Sequence, residues 1–175
     1  MKRIIAALAF AAHKHRDQRR KDVNASPYIN HPIALVDVLI NEASVDDEDV
    51  LIAAILHDTV EDTETTDVEL TEVFGEKIAS IVMEVTDDTR LPKAERKQQQ
   101  IERAATISRE ARLVKLADKI CNLRDIADNP PAGWSLQRRE EYIDWAIAVI
   151  DRLRGTHPGL EYIFDQIAQR RPLSQ

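Results

Sequence analysis

Apolar residues recur at three- and four-residue intervals along most of the chain, with polar residues between them. That is the period of helices packed by one face. It predicts helices near residues 2–19, 32–43, 47–60, 67–74, 76–87, 93–106, 109–128, 136–154 and 158–170. Pro32, Pro92 and Pro158 suit first helical turns, Gly75 and Gly155 suit helix ends, and Ser108 and Ser135 suit N-caps. Asp46, Asp47, Glu48 and Asp49 load the start of the helix over 47–60 with negative charge, which the helix dipole favours. No stretch alternates apolar and polar residues beside turn signals, as a strand would. The expected fold is all-α, a single domain over 1–175 built as a bundle of about eight to ten helices. Two non-periodic loops, 20–31 and 129–135, interrupt the helical pattern. Loops carried by a rigid bundle are where function often sits.

One helix breaks its own pattern. Residues 51–62 read LIAAILHDTVED, an apolar run that ends in His57 and Asp58 with Glu61 and Asp62 one turn on. A buried charge is costly unless it is paired or bound to metal. Asp58, Glu61 and Asp62 share a helix face, and like charges so placed call for a cation. A solvated, frayed helix end is the bland alternative. His31 directly precedes Pro32, which predicts extended backbone at the histidine, and it could equally cap the following helix. Residues 113–125, LVKLADKICNLRD, place Leu113, Leu116, Ala117, Ile120, Cys121 and Leu123 at helical spacing. Asp118 and Asn122 stand one above the other, with Lys115 and Asp125 continuing the stripe. A salt-bridged surface position is the ordinary reading of such an aspartate, and core packing that of Cys121. Taken together, His31, His57, Asp58 and Asp118 make a set of two imidazoles and two carboxylates. That set suits Mn²⁺, Fe²⁺ or Zn²⁺ better than Ca²⁺ or Mg²⁺. Spacing alone does not establish that the four converge.

Charge and composition narrow the partners. The 175 residues carry a formal net charge of −7, yet residues 1–21 hold seven basic side chains against Asp17 alone. An acidic body with one basic segment and few aromatic residues is unlike a nucleic-acid binder, but could present a positive patch to a small phosphorylated ligand. The lone cysteine, Cys121, excludes an internal disulfide, and no apolar run approaches the roughly 20 residues of a membrane span. The start, MKRIIAALAFAAHKHR, reads as an amphipathic first helix rather than a signal peptide. A cytoplasmic protein with a small-molecule nucleotide partner, no nucleic acid and no membrane is expected; oligomeric state leaves no sequence signature. His13 and His15 lie among basic residues and read as surface or substrate-side, so one metal ion is expected rather than two.

The words around these residues are more specific than the residues alone. RRKDVNASPYINHP, AAILHDTVEDT, FGEKIASIVMEVTDD, LPKAERK and LVKLADKICNLRD resemble the HD-domain metal-dependent phosphohydrolases. They resemble in particular the hydrolase domain of the RelA/SpoT family in its stand-alone small alarmone hydrolase form. The resemblance runs from about residue 5 to residue 170. It implies an all-helical domain that removes the 3′-pyrophosphate of guanosine tetra- or pentaphosphate, with one Mn²⁺ as the usual metal. On this resemblance His31, His57, Asp58 and Asp118 are the metal ligands, and Glu61 and Asp62 act on the attacking water. Arg20 and Lys21 match the family's substrate loop, and Asn122 its nucleoside contact. Lys93, Arg138 and Tyr142 fall in pocket-lining segments, although Tyr142 with Trp145 also fits plain core packing. An HD-type phosphatase on another nucleotide such as NADPH, or an inactive nucleotide-binding HD domain, would share most of these features.

Overall fold

A computed structural model describes residues 1–170. The described residues form ten α-helices: α1 (Lys2–Lys14), α2 (Asn30–Asp37), α3 (Glu48–Leu56), α4 (Thr59–Asp62), α5 (Asp67–Phe74), α6 (Glu76–Val85), α7 (Lys93–Ala104), α8 (Arg109–Asp128), α9 (Leu136–Asp151) and α10 (Pro158–Ala168). A π-helical turn, Val38–Glu42, extends α2. The only extended pairing among them is an isolated bridge between Arg19 and Pro27. The expected all-α bundle is therefore observed.

The bundle is organised around α3 and α8. Every residue of α3 from Val50 to Leu56 is buried, so beyond Glu48 and Asp49 this helix has no solvent face. Helices α1, α2, α6 and α8 pack around it, and α8 in turn touches α2, α6, α9 and α10. Asp47 starts α3: its Oδ1 accepts the N–H of Asp49 at 2.9 Å and of Val50 at 3.4 Å, supplying partners to otherwise orphaned donors. Ser108 and Ser135 cap α8 and α9 in the same way, as their sequence positions suggested. Gly75 joins α5 to α6 at φ +93°, a conformation that favours glycine.

Several helices end two or three residues earlier than expected, and three departures bear on the loops or acids that drew notice in the sequence. The first helix ends at Lys14 rather than near 19, because His15 turns inward against Tyr28. The helix expected over 47–60 breaks at His57 and Asp58. His57 Nδ1 donates to Ala54 O at 2.8 Å and Thr59 Oγ1 donates to Leu56 O at 2.7 Å, so side chains take the terminal carbonyls of α3. The chain then restarts as the four-residue α4. Finally, His31 and Pro32 lie within the first turn of α2, not in extended backbone before it. A proline there forfeits nothing, since first-turn N–H groups lack helical partners.

Ile55 is fully buried in the last turn of α3. Ile55→Ala should lower unfolding free energy by about 2–5 kcal/mol. In a urea titration this would register as a lower midpoint with an unchanged slope.

Candidate active site

Helices α2, α3 and α8 each deliver one side chain to a common point. His31 Nε2 lies 3.3 Å from Asp118 Oδ1, and His57 Nε2 lies 3.9 Å from the same oxygen. One coordinating atom from each of His31, His57 and Asp118 falls within 4.8 Å of the others. The bond from His57 Nδ1 to the Ala54 carbonyl orients the ring and leaves Nε2 for the centre, as metal-bound histidines are commonly held. That Nε2 is buried and has no hydrogen-bond partner. Asp58 Oδ2 is 2.9 Å away but outside hydrogen-bonding geometry. Two imidazole nitrogens and a carboxylate form a borderline donor set that suits a divalent transition metal. The cluster is able to coordinate a divalent metal ion. Asp58 is outside this tight trio but lines the same cavity, and its carboxylate accepts a hydrogen bond from the Tyr28 hydroxyl.

Asp118 is not the salt-bridged surface residue its sequence context allowed. It faces inward, with Oδ1 accepting from Asn122 Nδ2 at 2.6 Å and Oδ2 from Lys119 Nζ at 2.9 Å. The whole polar stripe of α8 turns towards the site or its walls: Lys115 Nζ donates to Val85 O at 3.0 Å, and Asp125 pairs with Arg20. Cys121, on the other side, is buried as expected.

Environment divides the acids into two kinds. Burial alone would raise Asp58 and Asp118. Yet both are held well below the ordinary carboxylate range, Asp58 by His57 and Asp118 by Lys119 and the two imidazoles. Burial likewise opposes protonation of His57, but Asp58 and Asp118 outweigh it and lift its pKa to about 9. His31 is lowered by burial, with His57 adding to the effect and Asp118 opposing it. Glu61 moves the other way, pushed up to about 7 by burial and by the charges of Asp58 and Asp87. Asp62 is also raised, by burial and by Asp58, against a hydrogen bond from Gln18. Glu61 is thus the acid whose proton affinity approaches that needed for proton transfer near neutral pH, and Asp62 is shifted in the same direction.

The site opens onto larger spaces. A cavity of about 140 Å³ is bordered by the metal-binding trio together with Arg20, Asp58 and Glu61. Beside it lies a cavity of about 570 Å³ that Lys21, Lys93, Lys97, Arg138 and Tyr142 line; Asp87 and Gln100 border both. A cleft of about 470 Å³ carries Asp62, Arg20, Asn122 and Tyr142. The structure therefore places Arg20 and Asn122 beside the trio, and Lys21, Lys93 and Arg138 in the adjoining basic cavity. Tyr142 serves both readings, half-buried against Trp134 and Trp145 while lining two of these spaces.

The loop bearing Arg20 and Lys21 is fixed by local bonds. Arg20 N–H donates to Ser26 O at 2.8 Å, and Ser26 N–H to Asp22 Oδ1 at 3.1 Å. Ala132 N–H donates to Lys21 O at 2.8 Å, which ties the two long loops together. The Arg20 guanidinium pairs with Asp125, donates to Asn122 Oδ1 at 3.4 Å and lies over the Tyr28 ring.

Sequence reasoning missed five contributors. Tyr28 bonds Asp58, Gln18 bonds Asp62, and Lys119 bonds Asp118. Asp87 N–H donates to Glu61 Oε2 at 3.1 Å, and Arg96 Nη1 lies 3.6 Å from Glu61 Oε1. Tyr28 and Lys119 had a signal, standing three residues before His31 and next to Asp118. Gln18 and Arg96 had none. His15 is a correction: expected at the surface or substrate side, it is buried, whereas His13 is exposed.

No helix among the described residues is long and apolar enough to cross a membrane. A family model described as an HD domain matches residues 7–143. Guanosine-3′,5′-bis(diphosphate) 3′-pyrophosphohydrolase MESH1 of Danio rerio is 51% identical over 168 residues, 96% of this chain and 93% of that protein. MESH1 of Homo sapiens is 50% identical over 171 residues, 98% of this chain and 96% of that protein. A solved structure of a metazoan SpoT orthologue, described as hydrolysing ppGpp and playing a role in starvation responses, superposes with a TM-score of 0.95. It is 48% identical, covering 99% of this chain and 98% of that one. With His31, His57 and Asp118 gathered on three helices and these relatives matched along nearly their whole length, the chain belongs to the HD-domain family and, within it, to the MESH1 group.

Proposed function

We propose that this protein hydrolyses the 3′-pyrophosphate of guanosine tetra- and pentaphosphate, releasing pyrophosphate and leaving GDP or GTP. The observation that carries this reading is the gathering of His31, His57 and Asp118 on a cavity that Glu61 also lines. The relatives that match nearly end to end are named for the same reaction. Asp58 would complete the ligand set, with Mn²⁺ as the proposed ion and Zn²⁺ or Fe²⁺ as substitutes. A divalent ion held there polarises a phosphoryl oxygen and acidifies water.

The chain's own residues supply the rest. Glu61 takes a proton from the attacking water, its carboxylate steadied by the Asp87 N–H and by Arg96. The water oxygen bonds to the phosphorus attached to the ribose 3′-oxygen, and the bond from that phosphorus to the 3′-oxygen breaks. The proton taken by Glu61 passes, directly or through solvent, to the 3′-oxygen, which ends as a hydroxyl. Asp62 is the second acid, on the adjoining cleft. Arg20 beside the trio, with Lys21, Lys93 and Arg138 in the basic cavity, would neutralise the phosphates, arginine being able to do so bidentately. Asn122, donor and acceptor at once, would hold the nucleoside.

Added Mn²⁺ should raise the melting temperature, with a stabilisation of about 2.7 kcal/mol at a hundredfold excess over Kd. Asp118→Asn should abolish that rise. Incubation with guanosine tetraphosphate and Mn²⁺ should yield pyrophosphate and GDP, and chelator should stop it. Orthophosphate from a parallel NADPH incubation, with no product from guanosine tetraphosphate, would assign the site to a different nucleotide.

Glu61→Gln should retain the Mn²⁺-dependent melting shift while kcat falls by about 10²–10⁴-fold. Because the Glu61 pKa is raised, the base form is lost as pH falls through about 7. The acid limb of the kcat profile should accordingly lie well above 4.5, the ordinary value for a glutamate. A limb at that ordinary value would remove Glu61 from the proton transfer.

A further inference from the structure

We propose that His15 and Gln18 are positioning residues, a directional hydrogen-bond chain that holds the Asp62 carboxylate at the reaction cleft. This rests on the reading of Asp62 as the second acid. Gln18 Nε2 donates to Asp62 Oδ2 at 2.7 Å, and Gln18 Oε1 stands 2.5 Å from His15 Nδ1. The directions are forced. An ionised carboxylate only accepts, so the amide nitrogen must face Asp62 and the amide oxygen must face away. That oxygen also only accepts, so His15 Nδ1 must carry the hydrogen. Each partner thereby fixes the orientation of the next.

The anchor end is rigid. His15 is buried, and its ring packs on Tyr28 with centroids 4.7 Å apart. Gln18 N–H donates to His15 O at 3.0 Å, and Tyr28 N–H to Gln18 O at 3.2 Å, locking the turn that carries both side chains. Tyr28 itself donates its hydroxyl to Asp58. One compact unit at the end of α1 therefore reaches two acids a helical turn apart, Asp58 and Asp62.

The acid end needs such support. Helix α4 is only four residues, Thr59–Asp62, with Asp62 as its last residue. So short a helix has little stability of its own. A displacement of about 1 Å in a reacting group can cost about a hundredfold in rate. Simple packing of the α1 end would not need an amide aimed at a carboxylate; holding Asp62 does.

The test is a double-mutant cycle on the Mn²⁺-loaded protein with guanosine tetraphosphate. Gln18→Met keeps side-chain length and removes both hydrogen bonds. It should lower kcat by about tenfold to a hundredfold with KM and bound Mn²⁺ nearly unchanged, while the buried His15 N–H left without its acceptor lowers the melting temperature modestly. Gln18→Glu keeps the acceptor for His15 but sets a second carboxylate against Asp62, so kcat should fall at least as far; it serves where the methionine variant folds poorly. Gln18→Met combined with Asp62→Asn should be no slower than Asp62→Asn alone, because both act through one carboxylate. A slow Asp62→Asn protein beside Gln18 variants of wild-type kcat would overturn the clamp alone, as would losses that multiply in the double variant. Wild-type turnover in Asp62→Asn would instead retire Asp62 from the reaction, and the clamp with it.

Discussion

The constraint on which this fold turns is charge compensation at a buried point between α3 and α8. Asp118 and His57 sit on the two most enclosed helices, and His31 joins them from α2. Buried carboxylates stay ionised only where positive charge answers them. Here Lys119 answers Asp118 at 2.9 Å, while its ammonium also lies against the face of the Trp145 ring, 4.5 Å from the centroid. The field of Asp58 and Asp118 raises His57 to about 9 in spite of burial. The same field that draws a proton to that imidazole draws a divalent ion. The apolar length of α3 fixes where the point lies, and its abrupt end at His57 lets Asp58, Glu61 and Asp62 turn around it.

That end also explains how neighbouring acids differ in chemistry. Asp58 and Asp118 face cations and remain anionic, whereas Glu61 faces Asp58 and Asp87 and is raised to about 7. No residue of unusual type is required. A four-residue helix places Glu61 near enough to the negative centre to feel it, yet beyond the reach of His57 as a direct partner. Proton affinity is set by position within one short segment.

How much of this was legible in the sequence follows from which interactions are local. Helical period, caps at Ser108 and Ser135, the acidic start of α3, and the glycine between α5 and α6 depend on neighbours within a few residues, and they were readable. So was the polar stripe of α8, because i and i+4 share a face. The break at His57 was not, since it comes from side chains bonding carbonyls of their own helix, a choice that periodicity does not encode. The extended geometry expected at His31 failed because proline's restriction on its predecessor is a tendency that a first helical turn overrides. His15 and Gln18 were hidden for another reason. Their importance comes from Tyr28 and Asp62, ten or more residues away, and a histidine flanked by lysine and arginine looks solvated until its ring is seen against Tyr28.

The basic cavity is the electrostatic complement of the metal-binding point. Lys97 is lowered by burial and further by Lys93, with Lys119 and Arg138 also contributing, so the cations of this cavity repel one another. In the adjoining cavity the carboxylates of Asp58 and Asp118 repel one another and are relieved by cations. Each field is incompletely answered by the chain itself, and the two meet where Asp87 and Gln100 border both cavities. A small polyanion spanning that seam would relieve the first field directly, and a divalent ion held by His31, His57 and Asp118 would relieve the second. The rest of the molecule is acidic, with a formal net charge of −7 overall. A long polyanion would meet repulsion along most of its length, while a compact one would feel mainly the mouth of the cavity. The charge pattern therefore selects for size as well as sign, which suits a nucleotide with clustered phosphates.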